Sequence, residues 1–215
     1  MVSRVSAWRR NQRSDQHYRR ARAEGVRARS VYKLEEIDQR FGILRPGAKV
    51  IDLGAAPGSW SEYAVGRVGA HGQVVAVDLS EIEPLNDVVS LTGDIGDPSL
   101  VARLHALLPR GADVVLSDAA PAISGIRATD DARSVALVEA ALSIAVQVLR
   151  PGGAFLVKVF RGGDLASLVA RIEAALGECR LIVPRATRAE SREAYVFVWA
   201  RRDLHVSHGE SADRH

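Results

Sequence analysis

A chain of 215 residues with 47% hydrophobic content suits one globular domain with a sizeable core, not two. Its lone cysteine, Cys179, excludes an intramolecular disulfide and, with the histidines scattered, a Cys/His zinc cluster, so no metal and a reducing, cytoplasmic setting are expected. No stretch approaches the length of a membrane span, and no apolar segment follows the basic N-terminus as it would in a secretory leader. Charge is unevenly spread: residues 1–29 hold nine arginines against Asp15 and Glu24, a net of +7, so with +3 overall the remainder carries −4. A basic arm therefore precedes a mildly acidic body. Such an arm suits a polyanion, with Trp8 and Tyr18 available to stack on bases.

Along the chain, strands alternate with helices. A short helix over Val31 to Arg40 is closed by Gly42 and Pro46, and "AKVIDLG" reads as a β-branched strand ending in a glycine-rich turn. A helix starts at Ser59; "GQVVAVDLS" and "DVVSLTGD" are the second and third strands. Pro98 to Leu108 is a helix, and "ADVVLSDAAP" a fourth strand. Residues 130–149 form a long helix stopped by "RPGG", since Pro151 disfavours helix at the residue before it. "GAFLVKVFRG" (153–162) is a fifth strand, followed by a helix over 164–176. "CRLIVP" and "EAYVFVWAR" complete the set as an antiparallel pair joined by an arginine-rich loop, 185–192. This alternation predicts a doubly wound, mostly parallel α/β sheet of seven strands with helices on both faces, the last strand antiparallel. Residues 1–29 form the arm, 30–202 the domain and 203–215, with its histidines, a polar tail.

In such sheets ligands bind beyond the carboxyl ends of the strands. Asp52, Asp78, Asp94, Asp118 and Lys158 fall at or near five successive strand ends, which predicts one polar rim. Singly, each aspartate could be a turn former or cap; five together point to a site. The first turn, "DLGAAPGSW", lacks the G-x-G-x-x-G spacing of a dinucleotide site, and no G-K-[ST] phosphate loop is present. A Gly-x-x-x-Gly turn with an acidic residue ending the second strand fits a cofactor that has a ribose but no phosphate. S-adenosylmethionine is of that kind: Asp78 would accept from the ribose hydroxyls and Asp94 would reach the adenine.

The motifs "RSVYKLEEI", "DLGAAPGSWSEY", "VDL", "TGD", "LSDAAPAISG", "LVKVFRG" and "SREAYVFV" resemble those of the FtsJ-type (RlmE-like) ribosomal RNA ribose 2'-O-methyltransferases over nearly the whole chain. The resemblance implies a catalytic tetrad of Lys33, Asp118, Lys158 and Glu193, and cofactor-binding positions at Gly58, Trp60, Asp78, Asp94 and Asp118. It also implies S-adenosylmethionine as methyl donor, and a uridine of large-subunit (23S) rRNA, within the assembled subunit, as substrate of a monomeric enzyme. Ser59 stands where the family commonly has a third glycine, and Ala122 where asparagine is frequent. A tRNA ribose methyltransferase of the same superfamily and a silent ribosome-assembly factor are the rival readings; the complete tetrad argues against silence.

Lys158 carries the chemistry in this reading. Arginine outnumbers lysine 26 to 3, so a lysine retained inside a strand is notable: unlike arginine, it can lose its proton. As a base it would have to fall from ~10.4 to near 7, a cost of roughly 4 to 5 kcal/mol. Burial and Lys33 push that way, while Asp118 and Glu193 push back. If the carboxylates prevail, Lys158 serves as a cationic clamp on the developing alkoxide.

Overall fold

The computed structural model describes residues 30–203 apart from Ile123 and Gly163. The basic arm, and the tail beyond Asp203, lie outside the described residues. Seven strands form one sheet in the order β3-β2-β1-β4-β5-β7-β6. They are β1 (Lys49–Leu53), β2 (Gln73–Asp78), β3 (Val88–Thr92), β4 (Ala112–Ser117), β5 (Leu149–Phe160), β6 (Cys179–Ile182) and β7 (Glu193–Trp199). The helices are α1 (Val31–Phe41), α2 (Ser59–Val68), α3 (Ser99–Leu107), α4 (Arg127–Val148) and α5 (Leu165–Leu176). Pairs along β3-β2-β1-β4-β5 are parallel, and β7 runs antiparallel to both β5 and β6. The expected doubly wound sheet with an antiparallel last strand is what forms.

Successive strand residues point to opposite faces, and both faces are apolar because both are covered. Val50, Val74, Val114, Leu156 and Phe197 pack under Leu34 and Ile37 of α1 and Trp60 and Ala64 of α2. Ile51, Val75, Val115, Phe155 and Val196 pack against Leu100 of α3, Val138 and Ile144 of α4 and Ile172 of α5. This alternation decides where the polar residues go. Asp52 and Lys158 lie two residues beyond Val50 and Leu156, so both point to the α1/α2 side.

Two boundaries differ from expectation. The long helix starts at Arg127, three residues early, because the Asp130 carboxylate accepts from Ser124 N (2.8 Å), Ser124 Oγ (2.7 Å) and Gly125 N (3.2 Å) and closes the preceding turn. The fifth strand begins at Leu149: the chain becomes extended directly after α4, Leu149 pairs with Ala112, and a register shift follows before Ala154 meets Val114.

A buried carboxylate joins the two helices of the α1/α2 layer. Asp38, 1% exposed, accepts from Leu44 N (2.8 Å) through Oδ1, and from Tyr63 Oη (3.1 Å) and Arg67 Nε (2.9 Å) through Oδ2. Removing it leaves all three donors without their acceptor. Asp38→Ala should therefore lower the unfolding free energy by about 3 kcal/mol. Urea unfolding followed by circular dichroism measures this, and a loss below about 1 kcal/mol would mean that water replaces the carboxylate.

Candidate active site

The reversal of β7 builds the site. Because β7 runs against β5, its first residue, Glu193, lies opposite Phe160 at the end of β5, at the same edge as the carboxyl ends of the parallel strands. Lys158 pairs across the strands with Tyr195, and both are buried, at 7% and 0% exposure. The Lys158 Nζ lies 2.5 Å from the Asp118 carbonyl oxygen and 3.2 Å from Asp118 Oδ1, directly beyond the end of β4. Lys33, in the first turn of α1, donates to Glu193 Oε2 at 2.6 Å. All four residues of the expected tetrad thus lie together, as two ion pairs side by side.

The ionisation of Glu193 reflects its surroundings. Burial pushes its carboxyl up, but Lys33, by charge and hydrogen bond, together with Lys158 and Ser191, outweighs this and leaves it below the usual carboxylate range. The start of α1, and with it Lys33, is anchored to α2: Trp60 Nε1 donates to Ser30 O at 3.0 Å, and the Ser30 and Ser59 hydroxyls are 3.0 Å apart.

Beside the tetrad, at the point where the sheet order reverses between β1 and β4, a cavity of about 310 Å³ opens. Asp78, Asp94 and Asp118 line it with Gly54, and Leu79, Ile95 and Leu137 supply apolar walls. Gly54 has φ +74°, and a Cβ there would sit 2.6 Å from Ala119 Cα, so the turn can lie against the loop after β4 only as glycine. Asp78 Oδ2 accepts from Ala56 N (3.0 Å) and Oδ1 from Ser80 N (2.8 Å), which ties the two loops at the mouth and leaves each oxygen a further lone pair. The lining includes no lysine or arginine, so the cavity suits a cationic or hydroxyl-bearing ligand better than a phosphate.

One expectation needs amendment. Asp52 does not reach the rim; it is fully buried beneath it, because its side chain points to α2, where Ser61 Oγ donates to Oδ2 at 2.6 Å. Gly58 and Trp60 do not line the cavity: Gly58, with φ +102°, starts α2, and Trp60 is 2% exposed and packs on Tyr195. Arg192 of the arginine-rich loop is engaged with Asp131 of α4, at 2.6 and 3.2 Å.

The residue that sequence reasoning passed over is Tyr195, whose hydroxyl donates to Asp118 Oδ1 at 2.8 Å. The period of two along "EAYVFV" places it on the face of Glu193, and that was the available signal.

Asp52 Oδ1 has no hydrogen-bond partner. Burial above all, with the charges of Asp118 and Asp78, pushes its carboxyl up to about 7 despite Ser61. Between pH ~4 and ~7 the unfolded chain has released this proton while the folded one retains it, so stability falls as pH rises through that window, by up to roughly 4 kcal/mol. Asp52→Asn should abolish the decline. Urea midpoints of the ligand-free parent and variant at pH 4.5 and 7.5 supply the comparison, and parallel changes in both would show that Asp52 ionises without penalty.

Comparison with known proteins bears on this geometry. The model of the family described as FtsJ-like methyltransferase matches residues 26–201. The protein named ribosomal RNA large subunit methyltransferase E from Methanothrix thermoacetophila is 48% identical over 183 residues, 85% of this chain and 71% of that one. Its namesake from Azoarcus is 44% identical over 192 residues, 89% of this chain and 94% of the other. Among solved structures, a ribosomal RNA methyltransferase of Plasmodium falciparum superposes with a TM-score of 0.74 at 25% identity, covering 82% of this chain and 98% of its own. The chain belongs to the FtsJ-like methyltransferase family.

Proposed function

We propose that the protein transfers a methyl group from S-adenosylmethionine to the ribose 2'-hydroxyl of a uridine in large-subunit (23S) rRNA, acting as a cytoplasmic monomer on the assembled subunit. The relatives named as acting on large-subunit ribosomal RNA support the substrate class. The observation that carries the chemistry is that Asp118 belongs to both halves of the site: it lines the acidic cavity and holds the buried Lys158.

The cavity fits the donor. Its three lining carboxylates and the unpartnered oxygen of Asp52 behind them suit a ligand with cationic sulfonium and ammonium groups and ribose hydroxyls. Asp78 would accept from the ribose, Asp94 would reach the adenine, and Gly58 and Trp60 would act by shaping the turn. When bound, S-adenosylmethionine supplies an electrophilic methyl on a positively charged leaving group.

The chain's own residues then serve the acceptor. The Lys158 Nζ donates to the Asp118 carbonyl oxygen and has Asp118 Oδ1 within ion-pair distance, and it keeps a position for the substrate hydroxyl: a lone pair if the amine is neutral, a further N–H if it is cationic. A neutral lysine takes the proton; a cationic one stabilises the alkoxide. Lys33, paired with Glu193, holds the ribose-phosphate side in line with the methyl.

Incubation with methyl-labelled S-adenosylmethionine and separate pools of ribosomal subunits, naked rRNA and tRNA tests the reading: label should enter the large subunit at a ribose 2'-oxygen, and label confined to tRNA would overturn the substrate. Lys158→Ala should abolish transfer while cofactor affinity, measured by calorimetry, stays within about threefold. Lys158→Arg separates the two roles, because arginine cannot act as a base; appreciable residual turnover favours the clamp.

The arm completes the proposal. With a net charge of +7, residues 1–29 suit phosphate contacts. Deleting them should weaken RNA binding more than cofactor binding and flatten the dependence of log affinity on log salt, whose slope is about −0.7 to −0.9 per phosphate contact. Equal slopes for full-length and shortened protein would reduce the arm to a solvated leader.

A further inference from the structure

Tyr195 lies among the members of the tetrad without belonging to it. Its hydroxyl donates to Asp118 Oδ1 at 2.8 Å, the same oxygen that lies 3.2 Å from Lys158 Nζ. Its backbone is the cross-strand partner of Lys158, so the two side chains share a face. The Lys33 ammonium lies 5.9 Å from the centroid of its ring, and Glu193 is two residues back on the same face of β7. The ring cannot drift, because Trp60 packs against it at 5.7 Å and the residue is wholly buried.

From this arrangement we propose that Tyr195 is a positioning residue for methyl transfer: its hydroxyl fixes the orientation of the Asp118 carboxylate and shares its charge, so that Asp118 holds Lys158 in place without binding its proton too strongly. The proposal rests on the reading of Lys158 and Asp118 given above. Asp118 Oδ1 would otherwise present its full negative charge to an ammonium 3.2 Å away in a water-poor setting. The phenol stays a donor throughout the working range: burial, then the charge and hydrogen bond of Asp118 and the charge of Glu193, push its ionisation well above the usual tyrosine value. The titratable groups that face this assembly are Lys33 from α1, Lys158 from β5, Asp118 after β4 and Glu193 on β7, with the buried Asp52 of β1 within reach of the Asp118 charge.

Tyr195→Phe keeps the ring, its packing and the Lys33 contact, and removes only the donor. Steady-state methylation of large-subunit rRNA should show kcat reduced about ten- to hundredfold, with KM for RNA and for S-adenosylmethionine within about twofold. The acid limb of the kcat–pH profile should also move to higher pH. A hydrogen bond donated to an anionic group favours its charged form, so losing the donor displaces the limb in that direction. Replacing Tyr195 with 3-fluorotyrosine, a stronger donor, should move the limb the opposite way, and it carries the test if the phenylalanine variant does not fold. A phenylalanine variant with lowered melting temperature but unchanged kcat and pH profile would overturn the proposal, as would a fluorotyrosine protein with an unmoved limb. Should the parent place no methyl on ribose, the functional reading itself fails, which is a different result from active parent and variant proteins that behave alike.

Discussion

A buried lysine at the end of a central strand is the constraint around which this structure is organised. Lys158 lies within the sheet, between β4 and β7, where an unpaired charge would cost several kcal/mol. Its acceptors come from the residue that ends β4 on one side, Asp118, and the carboxylate that could compete for it, Glu193, is occupied by Lys33 on the other. That solution demands a strand running the wrong way. A seventh parallel strand would put its first residue at the opposite edge, some 20 Å from the cavity at ~3.3 Å per residue, whereas antiparallel β7 brings Glu193 and Tyr195 to Lys158.

The same constraint explains why α1 is tied down so heavily. Lys33 is useful only if its ammonium stays between Glu193 and the Tyr195 ring, so the helix that carries it must be held in place. The Asp38 contacts to Leu44, Tyr63 and Arg67 fix the last turn and the loop after it, while Ser30 and Trp60 fix the first turn. The helix is thus held at both ends by α2, which itself begins at the Gly54–Gly58 turn beneath the cavity. Movement at the Gly54–Gly58 turn and movement of Lys33 are therefore mechanically linked.

Reading the chain without coordinates recovers the architecture because its cues are local: β-branched runs, glycine turns and the period of the helices. It also singles out Lys33, Asp118, Lys158 and Glu193, which the fold brings together, because each lies in a recognisable motif. What escapes is anything decided by side-chain direction across the sheet. Asp52 and Asp78 look alike at the ends of adjacent strands, yet Asp52 lies below the rim against Ser61 and Asp78 opens into the cavity. The Trp60 indole braces Ser30, and Arg192 of the arginine-rich loop is held by Asp131, contacts that the sequence does not display. The start of α4 was misjudged for a related reason, since the Asp130 carboxylate that closes the preceding turn acts through hydrogen bonds that composition does not reveal.

The distribution of charge suits the two partners of the proposed reaction. A cofactor that carries positive charge requires carboxylates, and an RNA backbone requires cations; placed side by side they would neutralise each other. Here the cavity lining is acidic and without lysine or arginine, while the cations near the site are paired at defined positions: Lys33 with Glu193, Lys158 with Asp118, Arg192 with Asp131. The strongest positive charge in the sequence falls in residues 1–29. In the proposed function, a basic segment for the polyanion lets the remaining residues keep a net negative charge for the methyl donor. Asp118 is then the one carboxylate that must serve both sides, and this is why a neutral donor such as Tyr195, which orients it without adding charge, is better suited to the position than a further lysine or arginine would be.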